Sequence, residues 1–207
     1  MTETLALLGR RPGFARLWIA EVVSLGGDWF TLVALSVAVA RASHGSGLAL
    51  GALIVTQLLP MVVLGPWSGL LVDRVDRRRL LVASDLLRVV IVLLFIPAVA
   101  SARLAPLYGL ALLHFGVATV FEPGRAAILP SLVEDSELVR ASTLSSVTWS
   151  VMAAIGGLAS GAVLAMLGLR AAFLVDAATF LASALLIVSI PPSQVRAPEA
   201  HASDDLS

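Results

Sequence analysis

The sequence predicts an all-α integral membrane protein with six transmembrane helices. Of its 207 residues, 58% are hydrophobic and 14% are charged, whereas soluble domains average roughly 45–50% and about 25%. Two stretches, 46–72 and 141–169, contain no charged residue, and each exceeds the ~20 apolar residues that cross a bilayer. A soluble fold of this size could not bury so much apolar surface, so we expect a bilayer to cover it.

The first three spans are predicted at 17–40, 46–72 and 80–101. The first span follows three arginines, as the core of a signal peptide would, but it is longer than the ~7–15 residues of such a core. We therefore interpret it as an uncleaved helix. The sequence HGSG at 44–47 separates it from the second span, and the charged segment 73–79 separates the second span from the third.

The remaining spans are predicted at 104–121, 141–167 and 171–190. The segment 123–139 mixes apolar and acidic residues, and we expect it to lie along the membrane surface as a short amphipathic loop. A Gly-containing turn separates the fifth span from the sixth. The polar residues 191–207 are predicted to form a cytoplasmic tail with no further span.

The distribution of arginine predicts the orientation. With the N-terminus inside, ten arginines lie in the inner segments, and three, Arg41, Arg103 and Arg170, lie in the outer loops. Because cytoplasmic loops carry the excess of basic residues, we expect both termini in the cytoplasm of a bacterium, with the helices in its inner membrane. The zero net charge gives no indication of a nucleic-acid partner. The absence of cysteine excludes disulfides and cysteine-based metal sites, and no cofactor or metal is expected.

Charged residues inside the spans are candidate functional residues, because each costs roughly 2.5–3.5 kcal/mol on insertion scales. Asp85 and Arg88 are three residues apart and can pair on the third helix. Asp28 has two interpretations, either a cation or proton site that lines a cavity or a structural partner of Arg88. The candidates for a cavity or an intramembrane charge are Glu21, Asp28, Asp85, Arg88, His114 and Asp176.

Three of these candidates carry further expectations. Glu21 lies seven residues before Asp28 on the same face of the first helix, and we expect it to be solvated near the inner surface. Asp176 is expected near the outer end of the sixth helix. His114 can titrate near neutral pH, although a lone histidine is more often a packed or hydrogen-bonded residue.

The most specific motif, GLLVDRVDRRR at 69–79, lies where the second helix leaves the membrane. Gly69 and Gly65 are spaced for close approach of another backbone. Asp73 can pair with an arginine or cap a neighbouring helix. Alternatively, the arginine cluster only sets the topology.

This motif resembles the signature of the loop between helices 2 and 3 in the major facilitator superfamily, close to G-x-x-x-D-R-x-G-R-R/K. The matching residues are Gly69, Asp73, Arg74, Arg77 and Arg78. Asp76 replaces the second glycine of the signature, as is common in the branch that includes enterobactin exporters and macrolide efflux proteins. The resemblance implies that this loop acts as a gate latch between two halves of a transporter.

Three other segments resemble the same branch, so that the resemblance covers about residues 10–190. They are 14–29 in the first helix, 121–130 in the loop between helices 4 and 5, with Pro123, Arg125 and Pro130, and 173–180 in the sixth helix. The Gly-Pro pattern of drug–proton antiporters is absent from the fifth helix. The resemblance therefore does not extend to proton antiport.

The resemblance implies half of a major facilitator fold, built from two inverted three-helix repeats. Gly65 in the second helix and Gly157 and Gly161 in the fifth are then expected to be packing positions. It also implies efflux of a small apolar or amphiphilic compound, with a second transporter half or a second copy of the chain as partner. The alternatives are a truncated, non-transporting remnant and a membrane interaction subunit. An enzyme is not expected, because an intramembrane serine protease needs a serine and a histidine within reach at membrane depth.

Overall fold

The computed structural model describes residues 7–192, and this part of the chain contains five long helices. They are α1 (Pro12–Ala42), α2 (Gly47–Arg74), α3 (Arg77–Ala100), α4 (Leu104–Leu132) and α5 (Asp135–Val188). All five are long and apolar enough to cross a membrane. All but the first two residues of the predicted tail 191–207 lie outside the described residues.

The longest helix, α5, is interrupted at Gly168. Its 54 residues would extend about 80 Å in a straight helix, at ~1.5 Å per residue, whereas the hydrocarbon core of a bilayer is about 30 Å thick. Gly168 has φ 80° and ψ 176°, a conformation available essentially to glycine alone. It divides α5 into two arms, α5a (135–167) and α5b (169–188), at the position where a turn between two spans is predicted.

The two arms of α5 contact α1 in opposite order. Along α5a, the contacting residue numbers on both helices rise together. Along α5b, the numbers rise on one helix as they fall on the other. The contacts that establish this order are Glu21–Ser145 and Trp29–Gly156 for α5a, and Thr31–Asp176 and Arg16–Ser189 for α5b. The chain therefore reverses direction at Gly168, and α1 lies against both arms.

The helix α4 continues beyond the predicted span 104–121 and ends only at Leu132. It passes through Pro123 and Pro130, each of which removes one backbone hydrogen bond. Burial offsets this loss, because Ile128 and Leu132 pack in an apolar cluster with residues of the other helices. Residues 123–132 therefore form a helix, and the expectation of a loop is wrong for this part of the segment.

The helix α2 is the least enclosed of the five. Of its 28 residues, Ala49, Leu53, Pro60, Ser68 and Val72 are buried. Large apolar side chains on its other faces are exposed. Within the described chain, α2 therefore leaves much of its surface for lipid or for another protein segment.

Glycines pack closely at other positions than the sequence predicts. No atom lies within 4 Å of a Cβ built on Gly65 or Gly161, so neither glycine packs closely against another helix within the described chain. A Cβ built on Gly157 would lie 3.7 Å from the ring of Trp29, which is an ordinary contact distance. The tightest contacts among the described glycines are at Gly27, where a Cβ would meet the hydroxyl of Thr179, and at Gly156, where a Cβ would lie 2.6 Å from Cδ1 of Trp29.

Candidate functional site

Arg88 is the centre of a buried polar cluster between α1, α3 and α5b. Its Nη2 donates to Oδ1 of Asp85, 2.9 Å away and one turn earlier on α3. Its Nη1 donates to Oδ1 of Asp28 on α1, at 3.1 Å. Asp85 also accepts a hydrogen bond of 2.6 Å from Ser183 on α5b. Both contacts that the sequence suggests for Arg88 are therefore present.

Aromatic rings enclose the Arg88 guanidinium on its remaining sides. Its central carbon lies 4.4 Å from the ring centroid of Phe180 and 4.8 Å from that of Phe121. A desolvated guanidinium over an aromatic face gains a further cation–π attraction. The positive charge is therefore held by two carboxylates and two rings in a dry environment.

His114 and Asp176 extend this cluster. Nε2 of His114, which is fully buried, lies 3.5 Å from Oδ1 of Asp28. Neither ring nitrogen makes a hydrogen bond to a described residue. Asp176 is fully buried and accepts a hydrogen bond from Thr31. Asp176 is the eighth residue of α5b, about two turns from its start, and the expectation that it lies near the outer end of the sixth helix stays a prediction.

The cluster has more acidic than basic groups and is reachable from one side. Three carboxyl groups, those of Asp28, Asp85 and Asp176, face one guanidinium and one imidazole. The Asp28 side chain is 34% exposed, whereas the other members are buried. Such an arrangement can hold a proton or bind one cationic group of a ligand through Asp28.

A second polar cluster joins α1, α4 and α5a, and the sequence analysis did not identify it. Glu21 is 5% exposed, so the expectation that it is solvated is wrong. Ser145 donates to Oε2 of Glu21 at 2.9 Å, and Nη1 of Arg125 lies 3.5 Å from the same oxygen. Arg125 lies within α4 and also pairs with Glu122 one turn earlier. The spacing of Glu122 and Arg125 was a local signal for that pair, but no pattern in the sequence points to Glu21.

Some residues of the motif at 69–79 contact other helices of the chain, whereas others have no side-chain partner among the described residues. Nη1 of Arg77 donates to the backbone oxygen of Ala127 at 3.0 Å. Nε of Arg78 donates to the backbone oxygen of Ile187 at 3.2 Å, near the end of α5b, where carbonyls lack helical partners. Asp73 and Arg74 are exposed and make no side-chain hydrogen bond or ion pair with any described residue.

Asp76 has a local structural role. It is the N-cap of α3, and its Oδ1 accepts a hydrogen bond of 2.8 Å from the backbone N–H of Arg79. Aspartate is among the preferred residues for this position. Asp76, which stands where the signature has a glycine, thus caps α3.

Arg11 connects the residues before α1 to the start of α5. It pairs with Glu134 and Glu137, which form a capping box at the N-terminus of α5. The hydrogen bond to Glu134 raises the pKa of Arg11 above its ordinary value. Within residues 7–192, no group of three or more histidine or acidic side chains is placed to hold a metal ion.

Comparison with known proteins finds one matching family and several similar proteins. The profile of the Major Facilitator Superfamily matches residues 17–205. In Bacillus subtilis (strain 168), "Uncharacterized MFS-type transporter YfiS" is 28% identical over 89% of this chain and 44% of its own length. "Putative bacilysin exporter BacE" of the same strain is 30% identical over 87% of this chain and 44% of its own length. "Staphyloferrin A transporter" of Staphylococcus aureus (strain NCTC 8325 / PS 47) is 25% identical over 88% and 44%. The chain therefore spans less than half the length of the relatives it matches.

Proposed function

The chain belongs to the Major Facilitator Superfamily, and on this premise we propose that it forms the N-terminal half of a permease that exports a small apolar or amphiphilic compound. It is a bacterial multi-pass membrane protein. In the proposed arrangement, α1 to α4 and the two arms of α5 supply six spans as two inverted repeats, with both termini in the cytoplasm. A second half or a second copy of the chain completes the substrate cavity.

The partial exposure of Asp28 carries this proposal. Asp28 lies near the middle of α1, and its side chain is 34% exposed. A carboxylate that faced lipid at this depth would cost roughly 2.5–3.5 kcal/mol. The exposed side of Asp28 is therefore expected to face a water-filled cavity, and such a cavity needs a wall that the described chain does not supply.

The exposed faces of α2 and α5a support the same arrangement. Gly65 and Gly69 on α2 and Gly161 on α5a have open space where a Cβ would lie. Small residues allow helices to approach closely in membranes. We assign these positions to packing against the second half. Asp73, which is exposed at the end of α2, is then placed to form the gate latch with that half.

The substrate class follows from the cavity chemistry and from the relatives. Because Arg88 offsets only part of the negative charge of Asp28 and Asp85, the cluster leaves room for one cationic group at most, and we propose a ligand that is otherwise apolar or amphiphilic. One relative is named as an exporter of bacilysin and another as a transporter of staphyloferrin A. The acid at Asp76 is common in the branch of enterobactin and macrolide exporters, to which we assign the chain.

The first experiment measures the mass of the purified chain in mild detergent by light scattering, with the detergent contribution subtracted. A homodimer predicts about twice the chain mass of 21.5 kDa. A monomer indicates that the second half is a separate protein segment, and the transport assay is then done with that segment co-expressed. If neither a dimer nor a chain pair transports any compound, the chain is a remnant or an interaction subunit.

The transport assay follows the accumulation of a panel of apolar and amphiphilic fluorescent compounds in cells. Asp28→Asn is expected to reduce efflux at an unchanged amount of protein in the membrane. Asp76→Asn is the matched control, because asparagine caps a helix as well as aspartate does and because position 76 lies outside the proposed cavity. Equal effects of the two substitutions, or unchanged accumulation in cells that contain the chain and its partner, would contradict the proposal.

A further inference from the structure

An apolar groove runs along the outside of the bundle between α2, α3 and α4. Its volume is about 430 Å³, and its walls include Leu64 of α2, Leu80 and Leu87 of α3, and Leu113 and Val120 of α4. From Leu80 to Leu87 the groove extends about 10 Å along α3, at ~1.5 Å per residue. Its whole length therefore lies beside helices that can span a membrane.

The single polar side chain among the lining residues does not change the apolar character of the groove. Ser84 lies at its base and donates to the backbone oxygen of Val117 at 3.3 Å. Because this hydroxyl already donates a hydrogen bond within the protein, it does not require a polar ligand. The groove therefore suits a hydrocarbon chain.

Two arginines whose side chains have no partner in the described chain flank the start of α3, close in sequence to Leu80, which lines the groove. Arg79 is four residues before Ala83, a lining residue, and therefore lies one turn away on the same face of α3. Arg74 is the last residue of the neighbouring helix α2. Both side chains are exposed, and neither makes a hydrogen bond or ion pair with any described residue.

The charges around this end favour an anion. The segment 73–79 contains four arginines and two aspartates. Asp76 accepts the backbone N–H of Arg79 as the cap of α3, and with both aspartates counted the segment keeps a net charge of +2. Guanidinium groups bind phosphate oxygens through charge-assisted hydrogen bonds, which are stronger than neutral ones.

We propose that this groove binds one phospholipid with an anionic headgroup. One acyl chain occupies the groove between α2, α3 and α4, and the phosphate contacts Arg74 and Arg79. A lipid in one leaflet needs an apolar surface for its acyl chain and basic side chains near its headgroup. The groove provides the apolar surface beside membrane-spanning helices, and the two arginines provide the basic side chains. The lining residues of the groove do not include Arg88 or the side chains that contact it, and the lipid test does not measure transport.

The test measures lipid retention by native mass spectrometry of the purified full chain during titration. The probes are phosphatidylglycerol and phosphatidylcholine with identical acyl chains. One phosphatidylglycerol is expected to bind at least tenfold more tightly than phosphatidylcholine. Arg74→Gln and Arg79→Gln should each weaken phosphatidylglycerol binding about fivefold, the factor equivalent to ~1 kcal/mol per basic residue near a membrane surface.

The acyl-chain part of the site is tested by filling the groove. Ala83→Phe adds a ring from the α3 wall, and it should weaken binding of both lipids about equally. Leu113→Trp does the same from α4, where the side chain is 59% exposed and its enlargement displaces no buried residue. Arg103→Gln is the matched control, because Arg103 is also exposed but lies at the opposite end of α4.

Three results would overturn the proposal. The first is equal binding of the two lipids, and the second is unchanged phosphatidylglycerol binding in both groove-filling variants. The third is competition by soluble glycerol phosphate at the same concentration as the lipid, which would make the site a simple anion site. A dimer that Ala83→Phe converts to a monomer, without lipid release, would show instead that a second copy of the chain occupies the groove. Circular dichroism of each variant confirms that the helices are retained.

Discussion

Replacing Arg88 by methionine tests whether the central cluster is a charge-balanced unit. The Arg88 side chain is buried and donates to Asp28 at 3.1 Å and to Asp85 at 2.9 Å. Methionine keeps an unbranched, flexible side chain that can still contact Phe121 and Phe180. The substitution therefore removes the positive charge and its hydrogen bonds with little change in packing.

Most of the expected loss of stability comes from Asp85, whose charge is left without a partner. Removing one partner of a buried ion pair costs roughly 3–5 kcal/mol, because the other charge is left uncompensated. Asp28 is 34% exposed and can recover hydration, whereas Asp85 is fully buried and cannot. The lost cation–π attraction adds up to about 2 kcal/mol. We therefore expect Arg88→Met to lower the free energy of unfolding by about 3–7 kcal/mol.

Neutralising the partners should restore most of this loss. In the triple variant Arg88→Met, Asp85→Asn, Asp28→Asn, the arginine and both carboxylates that contact it are replaced by neutral groups, and the amide oxygen introduced at position 85 can still accept a hydrogen bond from Ser183. Replacing a whole buried ionic group by neutral residues is often neutral in stability. The triple variant is therefore expected to be more stable than Arg88→Met alone.

Equilibrium unfolding in mixed micelles, followed by circular dichroism, measures both variants against the wild type. Arg41→Met, at an exposed position near the end of α1, controls for the loss of an arginine. The reasoning is refuted if Arg88→Met changes stability by less than about 1 kcal/mol, the range of exposed ion pairs. It is also refuted if the triple variant is no more stable than the single one, since packing rather than charge would then explain the loss.

Three smaller perturbations test the helix contacts, each by thermal unfolding in detergent. Gly27→Ala should lower the free energy of unfolding by about 1–3 kcal/mol through overpacking, because its Cβ would lie 2.8 Å from Oδ1 of Asp176. Gly161→Ala, which has open space around it, should leave the stability unchanged or raise it. Equal effects of the two substitutions would contradict the close contact at Gly27. Asp76→Ala should cost about 1 kcal/mol through loss of the α3 cap, and Asp76→Asn should not. Gly168→Ala should cost about 1–3 kcal/mol, because alanine is strained at φ 80°; an unchanged melting temperature would mean that the turn adopts another conformation.

Local spacing predicted the parts of the fold that depend on neighbours in sequence. Asp85 and Arg88 lie three apart on one helix, so their contact follows from the helical repeat alone. The turn residues around Gly168 indicated where α5 reverses. Asp28 was identified as a partner of Arg88 because charges are costly inside a membrane and few are available there.

Contacts between distant segments were not predictable in this way. Glu21 and Arg125 lie on α1 and α4, and hydropathy does not say which helices are neighbours or which faces meet. The same limit applies to His114, whose position beside Asp28 depends on how α4 packs. A solvated Glu21 was expected because its position in the sequence indicates how deep it lies in the membrane but not which side chains of other helices it contacts.

Glycine spacing also failed to predict packing, because the residue type does not reveal what faces it. Gly156 and Gly157 are adjacent in sequence, yet only Gly156 lies tightly against Trp29. Gly161 belongs to the same run of small residues but meets open space. The continuation of α4 through Pro123 was missed for a related reason, since burial of later apolar residues outweighs the lost hydrogen bond.

Gly168 leaves the two arms of α5 without a connecting loop, and this affects how the protein is made. The ribosome synthesises α5a before α5b. Because only one non-helical residue connects the two arms, the connection is too short for α5b to stay outside the membrane after α5a has inserted. The two arms are therefore expected to enter the bilayer together as a helical hairpin, so that the apolar residues of both share the insertion cost of Asp176, roughly 2.5–3.5 kcal/mol. By then α1, made earlier, already presents Thr31 as its partner.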